Sequence, residues 1–512
     1  MTGALGRTAA VSLVGLAGHL VEVEAHLAAS IPGFTLVGLP DASLAEARDR
    51  VRAAMTSSGL PWPQRRITVN LSPASLPKAG SGFDLAVAVA TLAAAGVCRP
   101  DAVAGVVHIG ELGLDGRLRP VRGVLPAVVA AVAAGHSRVV VPAGNEAEAR
   151  LVPGAQVRAA GHLAQVASWY GADVEVPDHE PALPESLASP GRATPDLADV
   201  VGQRAARWAL EVAAAGGHHV LMVGPPGAGK TMLAARLPGL LPDLRECEAV
   251  EVTAVHSVAG TFRAADGLVR RPPFEDPHHT ATPPAVVGGG SGMPRPGAAS
   301  RAHRGVLFLD EAPEFSPAVL QTLRQPLEHG ELVIQRAGGS ARFPARFQLV
   351  LAANPCPCGL AVGKGLACTC TPLARRRYFA RLSGPLLDRV DVQVEVLPVT
   401  RADRLAAEPG ESTRAVAARV AAARAAAEAR LSGTGWRTNA EVPGSWLREH
   451  TPRSAAHAEL DRALDAGALS LRGRDRVLRL AWTLADLRGV AAPDADDVGE
   501  ALLLRTRGRL GA

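Results

Sequence analysis

The chain has 512 residues, enough for about three domains of ordinary size. Its net charge of +5 and pI near 9.1 permit contact with nucleic acid without requiring it. No apolar run reaches the roughly 18 residues of a membrane span, and the six cysteines of so long a chain do not indicate a disulfide scaffold.

The first block, residues 1–172, is predicted to be an α/β domain. Its pattern favours strands and turns in 21–37, a helix over 41–58 with Asp41 as N-cap, a strand over 67–71, a buried helix over 83–95, and further strands at 106–110 and 139–141. Residues 173–195 are rich in Pro, Glu and Asp and predict a linker.

A phosphate-binding loop follows. It matches the pattern G-x-x-x-x-G-K-[ST] at every fixed position, in Gly224, Pro225, Pro226, Gly227, Ala228, Gly229, Lys230 and Thr231. The apolar run 220–223 predicts the strand before it, and 232–237 the helix after it. Lys230 is expected to reach the phosphates of ATP, and the Thr231 hydroxyl to ligate Mg²⁺. The chain has only three lysines, Lys78, Lys230 and Lys364, so a compact ammonium is kept where a planar guanidinium does not fit.

Two further strands carry polar groups at their ends. The strand 306–309 is followed by Asp310, expected to hold Mg²⁺, and by Glu311, expected to activate water. The strand 347–353 ends at Asn354, an amide able to hydrogen-bond a γ-phosphate or the attacking water. Beyond residue 400 the pattern predicts only helices, over 412–431 and from 454 to the end.

Several short motifs resemble the YifB/ComM family of magnesium-chelatase-like AAA+ ATPases of bacteria. They lie at 202–203, 277–280, 288–291, 294–297 and 354–359. The resemblance implies an AAA+ core with a parallel sheet at 196–395, a C-terminal helical lid at 396–512 and a Lon-protease-like N-terminal domain at 1–172. It also implies a cytoplasmic homo-hexameric ring, and one member type is a DNA branch-migration helicase.

The resemblance extends to individual residues. It implies that Asn354 is the first sensor and that Arg389 is the arginine finger entering the neighbouring subunit's site. Pairing of Arg389 with Asp388 or Asp391 on the surface is the alternative. The second sensor is expected at Arg472, with Arg479 as the rival. Phe274-Glu275-Asp276 departs from the family, which usually carries a basic residue there.

The N-terminal domain resembles Lon-type proteases at 77–84 and 119–125. An ungapped alignment places Gly82 at the nucleophilic serine and Leu125 at the lysine base, with Ser81 one position away. A serine–lysine dyad needs both groups within hydrogen-bonding reach, so we expect the fold without its peptidase chemistry.

Four of the six cysteines cluster at Cys356, Cys358, Cys368 and Cys370. Four thiolates suit a structural zinc ion, but the one-residue spacing within each pair is unusual. The alternative is a reduced-thiol loop stiffened by Pro355 and Pro357.

Residues 332–346 predict a hairpin with Gly338 and Gly339 at its turn. The family resemblance places such a hairpin in the central pore, where Arg336, Arg342 and Arg346 are candidates for phosphate contacts; an arginine-decorated solvated hairpin is the alternative. We expect a DNA-remodelling motor. A protein-remodelling or regulatory ATPase is the main alternative, and a metal-chelatase motor subunit, which lacks the Lon-like block, a weaker one.

Overall fold

The computed structural model describes most of the chain. It covers residues 4–38, 44, 46–78, 80–178, 195–290, 294–336, 339–361, 367–382, 384–399, 410–452, 455–465 and 469–506. The predicted N-cap Asp41, most of the predicted linker, Ser291, Gly338 and Lys364 lie outside these ranges, as does the side chain of Arg336.

The N-terminal block is built on a seven-stranded mixed sheet. In spatial order its strands are Gly33–Val37, Arg66–Ser72, Ala17–Ala28, Ala4–Val14, Val107–His108, Arg138–Pro142 and Gln156–Ala160. The helices are Ala47–Ser57, Asp84–Ala94, Pro100–Val103, Val124–Ala133, Glu146–Ala149 and Leu163–Trp169, with 3-10 turns at Ser81–Phe83 and Ala143–Asn145 and a small hairpin of Glu111–Leu112 and Leu118–Arg119. Every residue of the helix Asp84–Ala94 is buried, which confirms the buried helix predicted over 83–95.

The second sheet is five-stranded and wholly parallel. Its order is Phe274–Glu275, Val306–Leu309, Gln348–Ala353, Val220–Val223 and Val392–Glu395. The three central strands are buried along their whole length, because a parallel sheet is covered on both faces. They confirm the three strands predicted from apolar runs, whereas the two edge strands were missed.

Helices and hairpins surround this sheet. The helices are Arg204–Gly216, Lys230–Ala234, Leu237–Leu240, Glu246–Ala259, Pro283–Val287, Ala298–Arg301, Pro317–Thr322, Arg324–His329, Pro372–Ala380 and Gly384–Leu387, with 3-10 turns at Leu197–Asp199, Ala264–Asp266 and Ala312–Glu314. The hairpins pair Gly288–Gly289 with Arg295–Pro296 and Glu331–Arg336 with Gly339–Pro344. The helix after the phosphate loop is Lys230–Ala234, whereas the prediction was 232–237. The next short helix, Leu237–Leu240, has Pro238 at its second position.

The regular elements in the described residues of the C-terminal part are helices, and those at Thr413–Arg430 and from Ala455 onward agree with the prediction. Its helices are Thr413–Arg430, Gly444–His450, Ala455–Asp465, Leu471–Arg488 and Ala495–Thr506, with a 3-10 turn at Asn439–Glu441. Val416, Val477 and Leu480 share one apolar core with Val212 of the helix Arg204–Gly216. In the described ranges, no helix combines the length and apolarity required to cross a bilayer.

In the described ranges, the N-terminal block contacts the part of the chain built on the five-stranded sheet through a pair of helices and through a hairpin. The helix Glu246–Ala259 packs on Val124–Ala133, and Ser257 donates a hydrogen bond to the buried carboxylate of Glu148. A Cβ atom at Gly15 would lie 2.5 Å from the carbonyl oxygen of Arg342, so the N-terminal sheet also touches the predicted pore hairpin.

Candidate functional site

The glycines of the phosphate loop are required by its backbone. Gly227 and Gly229 have φ angles of 74° and 92°, in the left-handed region that side chains rarely adopt. A Cβ atom at Gly224 would lie 2.1 Å from the carbonyl oxygen of Val396, so no larger residue fits there without movement. The loop then enters a helix at Lys230, and backbone N–H groups at such a junction suit phosphate oxygens.

Lys230 is held inside this loop. Its ammonium donates to the carbonyl oxygens of Gly224 at 2.6 Å and Pro225 at 3.0 Å, and to Oδ1 of Asn354 at 3.1 Å. Burial lowers the pKa of Lys230, while the nearby carboxylates of Asp310 and Glu311 act in the opposite direction. Because these three acceptors are neutral, the positive charge of the ammonium is not cancelled by them and can pair with an anionic ligand. The phosphates of ATP are such a ligand.

The acidic pair lies beside the loop, at the carboxyl end of Val306–Leu309. The Thr231 hydroxyl donates to Oδ2 of Asp310 at 2.6 Å, and the Glu311 N–H donates to Oδ1 of the same residue at 2.9 Å. Thr231 and Asp310 therefore present two hard oxygen atoms at one point, as Mg²⁺ requires.

Glu311 has an unusual backbone. Its φ is 50°, and Nδ1 of His279 lies 3.4 Å from its carboxylate oxygen Oε2. A non-glycine residue in this region is uncommon and clusters at functional sites. His279 lies in the family motif at 277–280, but no role was predicted for it from the sequence.

Asn354 ends the strand Gln348–Ala353 and faces Lys230. Its backbone N–H donates to the Tyr378 hydroxyl at 3.4 Å, and burial raises the pKa of Tyr378 to about 12. The structure thus brings Lys230, Thr231, Asp310, Glu311 and Asn354 to one edge of the parallel sheet. Tyr378 was missed because nothing near it in sequence marks it.

Gln203 is a second missed contributor. Its amide donates to the carbonyl oxygens of Ala228 at 3.0 Å and Leu397 at 2.6 Å, and its φ is 53°. It fastens the phosphate loop to the segment that follows the last strand. The motif at 202–203 contains this residue, and both Gly202 and Gln203 have positive φ angles, of 67° and 53°, but the sequence analysis gave Gln203 no role.

Arg389 and Arg472 lie elsewhere, at the amino ends of the parallel strands, whereas the phosphate loop lies at their carboxyl ends. The N–H groups of Asp391 and Val392 donate to the carbonyl oxygen of His219, which precedes the strand Val220–Val223, whereas the phosphate loop follows that strand. Four residues of strand span about 13 Å. Neither arginine therefore belongs with its own phosphate loop.

The two arginines line one cavity of about 290 Å³, together with Arg324, Glu328, Asp388 and Arg476. Burial lowers the pKa of Arg389, and the positive charges of Arg476, Arg472 and Arg324 add to the effect. Four arginines face two carboxylates there, and even with Asp391, which pairs with Arg476, positive charges outnumber negative ones, which suits an anion.

Arg389 has a carboxylate partner that was not expected from the sequence. Its guanidinium is ion-paired with Glu328, while Asp391 is buried and takes His218 and Arg476 as partners. Arg479, the rival second sensor, donates to the carbonyl oxygen of Val442 at 2.7 Å and is not among the residues that line the cavity.

The Lon-like segments carry different chemistry at the aligned positions. Leu125 is buried, with its N–H donating to Glu148 at 2.9 Å. The Ser81 hydroxyl donates to Glu111, and the buried Lys78 ammonium donates to the carbonyl oxygen of Pro73. The expectation of a fold without the dyad stays a prediction.

The four clustered cysteines come together in space. The Sγ atoms of Cys356 and Cys358 are 3.3 Å apart, and each lies 3.6 Å from that of Cys368. With Cys370, all four sulfurs lie within 4.8 Å of one another. The backbone N–H of Leu360, with the neighbouring thiols, lowers the pKa of Cys358 to about 6.

The predicted hairpin is present as the paired strands Glu331–Arg336 and Gly339–Pro344, and Gly339, expected at the turn, is paired with Arg336 in the second strand. Arg342 is exposed and lies 3.3 Å from Glu331, and Arg346 is exposed just after the second strand.

The fold and this constellation define a nucleotide-binding protein of the AAA+ type, and comparisons with known proteins agree. Three family profiles match: "Magnesium chelatase, subunit ChlI" over residues 196–404, "Subunit ChlI of Mg-chelatase" over 23–145, and "Magnesium chelatase, subunit ChlI C-terminal" over 410–505.

Relatives match almost the whole chain. An uncharacterized protein of Mycobacterium tuberculosis is 54% identical over 99% of both chains. Competence protein ComM of Haemophilus influenzae is 40% identical over 97% of this chain and 96% of its own, and YifB of Escherichia coli is 40% identical over 91% and 90%. The chain belongs to the ComM and YifB family of magnesium-chelatase-like AAA+ ATPases, and the family implies ATP and Mg²⁺ as its ligands.

Proposed function

We propose that the protein is an ATP-hydrolysing ring motor, most simply a cytoplasmic hexamer, that remodels DNA. The proposed ring rests on the observation that the structure separates two half-sites. The phosphate loop and acidic pair lie at the carboxyl edge of the parallel sheet, and the arginine-lined cavity lies at the amino edge. Each half lacks what the other holds, so a complete site forms where the two edges of neighbouring subunits meet.

The loop half binds and prepares the nucleotide. Lys230 and the loop N–H groups hold the phosphates, and Thr231 and Asp310 hold Mg²⁺, which neutralises charge on the phosphate oxygens when bound. Glu311 accepts the proton of the attacking water. Asn354 orients that water, because its Oδ1 is held by Lys230 and its backbone by Tyr378.

The arginine half acts on the neighbour. Arg389 enters the adjacent subunit's site and stabilises charge on the transferred phosphoryl group, exchanging Glu328 for that stronger anion. Arg472, exposed and in the same cavity, is the second sensor and contacts the same nucleotide. Arg472 is favoured over the rival Arg479 because Arg479 does not line this cavity and its Nε donates to Val442.

Subunit mixing tests the proposal directly. Rings of Arg389→Ala or of Lys230→Ala alone should be inactive, while a mixture should recover part of the hydrolysis, because some interfaces pair an intact loop with an intact arginine. The matched control is Lys230→Ala mixed with Glu311→Gln, in which every loop half is defective and no activity should return. Mixed rings that form but stay inactive in both mixtures contradict action between subunits.

The DNA assignment draws on the hairpin and on one relative. Arg342 is exposed on the strand Gly339–Pro344, and a relative bears the name competence protein. Arg342→Ala should keep basal hydrolysis, reduce its stimulation by DNA and flatten the plot of log affinity against log salt by about 0.9 per lost phosphate contact. Arg52→Ala, an exposed arginine of the N-terminal block, is the control and should change neither.

A protein-remodelling ATPase is the second candidate. The contact between Gly15 and the hairpin favours it, because the N-terminal sheet reaches the segment proposed to touch substrate. Hydrolysis that is indifferent to single-stranded, duplex and branched DNA would favour this candidate. A chelatase motor is weaker, since the magnesium-chelatase 38 kDa subunit of Acidiphilium rubrum matches only 27% of this chain.

A further inference from the structure

We propose that Cys356, Cys358, Cys368 and Cys370 bind one structural zinc ion, which holds the sensor Asn354 against the phosphate loop. The first support is geometric. A tetrahedral zinc site with bonds of about 2.3 Å places its sulfurs about 3.8 Å apart. The sulfur separations of 3.3, 3.6 and 3.6 Å, with all four atoms within 4.8 Å, already approach that arrangement.

The one-residue spacing does not keep the sulfurs of a pair apart, since those of Cys356 and Cys358 lie 3.3 Å from each other. Cys356 and Cys358 belong to the turn that leaves the strand Gln348–Ala353, and Cys368 and Cys370 precede the helix Pro372–Ala380. Each pair comes from a different segment, as in zinc sites built from two knuckles. Cys356 is buried and the other three are half-buried, so the site is shielded from solvent on one side.

Charge around the sulfurs also favours a metal. Four thiolates around Zn²⁺ carry a net charge of −2, which hydrogen-bond donors must compensate. Nη2 of Arg375 donates to Sγ of Cys368 at 3.3 Å. An arginine aimed at a thiol sulfur has little to gain from a neutral thiol.

The site is joined to the catalytic constellation. Cys356 follows Asn354 by two residues, and Tyr378, which accepts from the Asn354 N–H, lies on the helix that follows Cys370. A Cβ atom at Gly359 would lie 2.6 Å from Cδ of Pro226, so the cysteine turn rests on the phosphate loop. Zinc would lock the two segments that carry Asn354 and Tyr378. This positioning role rests on the proposed function of Asn354, but the zinc site itself does not.

The first test measures metal directly in the full-length protein. Protein produced with zinc in the medium should hold one equivalent per chain, and a Cys358→Ser, Cys368→Ser double variant should hold none. Cys247→Ser, which removes an exposed cysteine from the helix Glu246–Ala259, is the matched control and should keep one. Wild-type protein without zinc, or with these four cysteines paired as disulfides, overturns the proposal.

A second measurement does not depend on a variant folding. Cobalt added to zinc-depleted wild-type protein should give the charge-transfer absorption of a tetrathiolate site. Thiol titration of native protein should detect Cys247, and addition of a chelator should expose the four cluster cysteines as well. Arg375→Gln should weaken zinc affinity roughly 10- to 100-fold, as loss of a partner around a metal ligand does. Cobalt spectra without thiolate bands would refute the site.

The positioning role has its own test. If zinc acts through Asn354, the cysteine variant should lower kcat about as much as Asn354→Ala, and combining them should add little further loss. Additive losses would overturn the positioning role, but the proposal that the four cysteines bind zinc would still stand. Loss of zinc with unchanged kcat would do the same.

Discussion

Asp391 is the group whose removal we expect to affect both stability and the arginine half-site. It is buried at the amino edge of the parallel sheet. Its carboxylate pairs with Nδ1 of His218 at 3.0 Å and with Arg476, whose Nη1 also donates to the carbonyl oxygen of Arg389 at 2.9 Å. Asp391 therefore joins the sheet to the C-terminal helix Leu471–Arg488 directly beneath the proposed finger.

The size of the effect follows from burial. Asp391→Asn keeps the shape of the side chain but leaves Arg476, which is 14% exposed, without its anion. Removing one partner of a buried ion pair costs about 3–5 kcal/mol, a large part of the roughly 5–15 kcal/mol that stabilises a typical domain. The change should also release Arg389, so ATP hydrolysis should fall if Arg389 acts in the proposed ring.

The pKa of Asp391 determines the pH range in which this residue stabilises the fold. The guanidinium of Arg476 and the hydrogen bond from His218 hold the pKa of Asp391 far below its usual range, against the desolvation that would raise it. The stability that it contributes is therefore present above the unfolded pKa of about 3.9. It is lost only as pH falls through the folded pKa. Between about pH 5 and about pH 8 the difference between wild type and variant should stay constant.

Urea unfolding followed by tryptophan fluorescence is the assay, since Trp208 and Trp482 lie in the same core. Asp388→Asn removes the same charge from an exposed neighbouring position and should shift stability by less than about 0.5 kcal/mol. Equal shifts for the two variants would refute the burial argument. A difference that varies between about pH 5 and about pH 8 would contradict the attribution of this stability to the Asp391 carboxylate.

Three further outcomes concern the loop half-site. Lys230→Ala should abolish nucleotide binding, whereas Glu311→Gln should bind ATP without turnover; equilibrium binding of a labelled nucleotide separates them, and equal loss in both contradicts the assigned roles. Gly224→Ala should weaken nucleotide binding at least tenfold, because its Cβ meets the Val396 carbonyl at 2.1 Å; unchanged affinity would show that the loop tolerates movement. His279→Ala should change kcat more than nucleotide affinity, as expected for a group 3.4 Å from Glu311; a purely structural histidine would alter only thermal stability.

Much of the ATPase-type core follows from sequence because its central strands are buried on both faces. Val220–Val223 and Val306–Leu309 are short runs of apolar residues that end at glycine or acid, and such runs are distinctive. The carboxyl ends of adjacent parallel strands lie at one edge, so the convergence of Lys230, Asp310 and Asn354 was also predictable.

The remaining parts depend on contacts distant in sequence. Phe274–Glu275 is two residues long and follows two prolines, too little for a periodic signal. Val392–Glu395 alternates in burial as an edge strand does, but it follows Asp391, a charge that local sequence assigns to the surface. Only its partners Arg476 and His218 make burial of that charge possible.

The arrangement of the two half-sites also constrains how subunits could communicate. Val220–Val223 and Val392–Glu395 pair in parallel along their full length, and they join the edge that carries Lys230 to the edge that carries Arg389. A hydrogen-bonded, buried pair of strands cannot change length or register without breaking its ladder. Displacement of the phosphate loop on hydrolysis would therefore reach Arg389 as movement of a rigid body, with Asp391 carrying the C-terminal helices along. On this reasoning, variants that loosen Asp391 should uncouple neighbouring sites before they impair nucleotide binding.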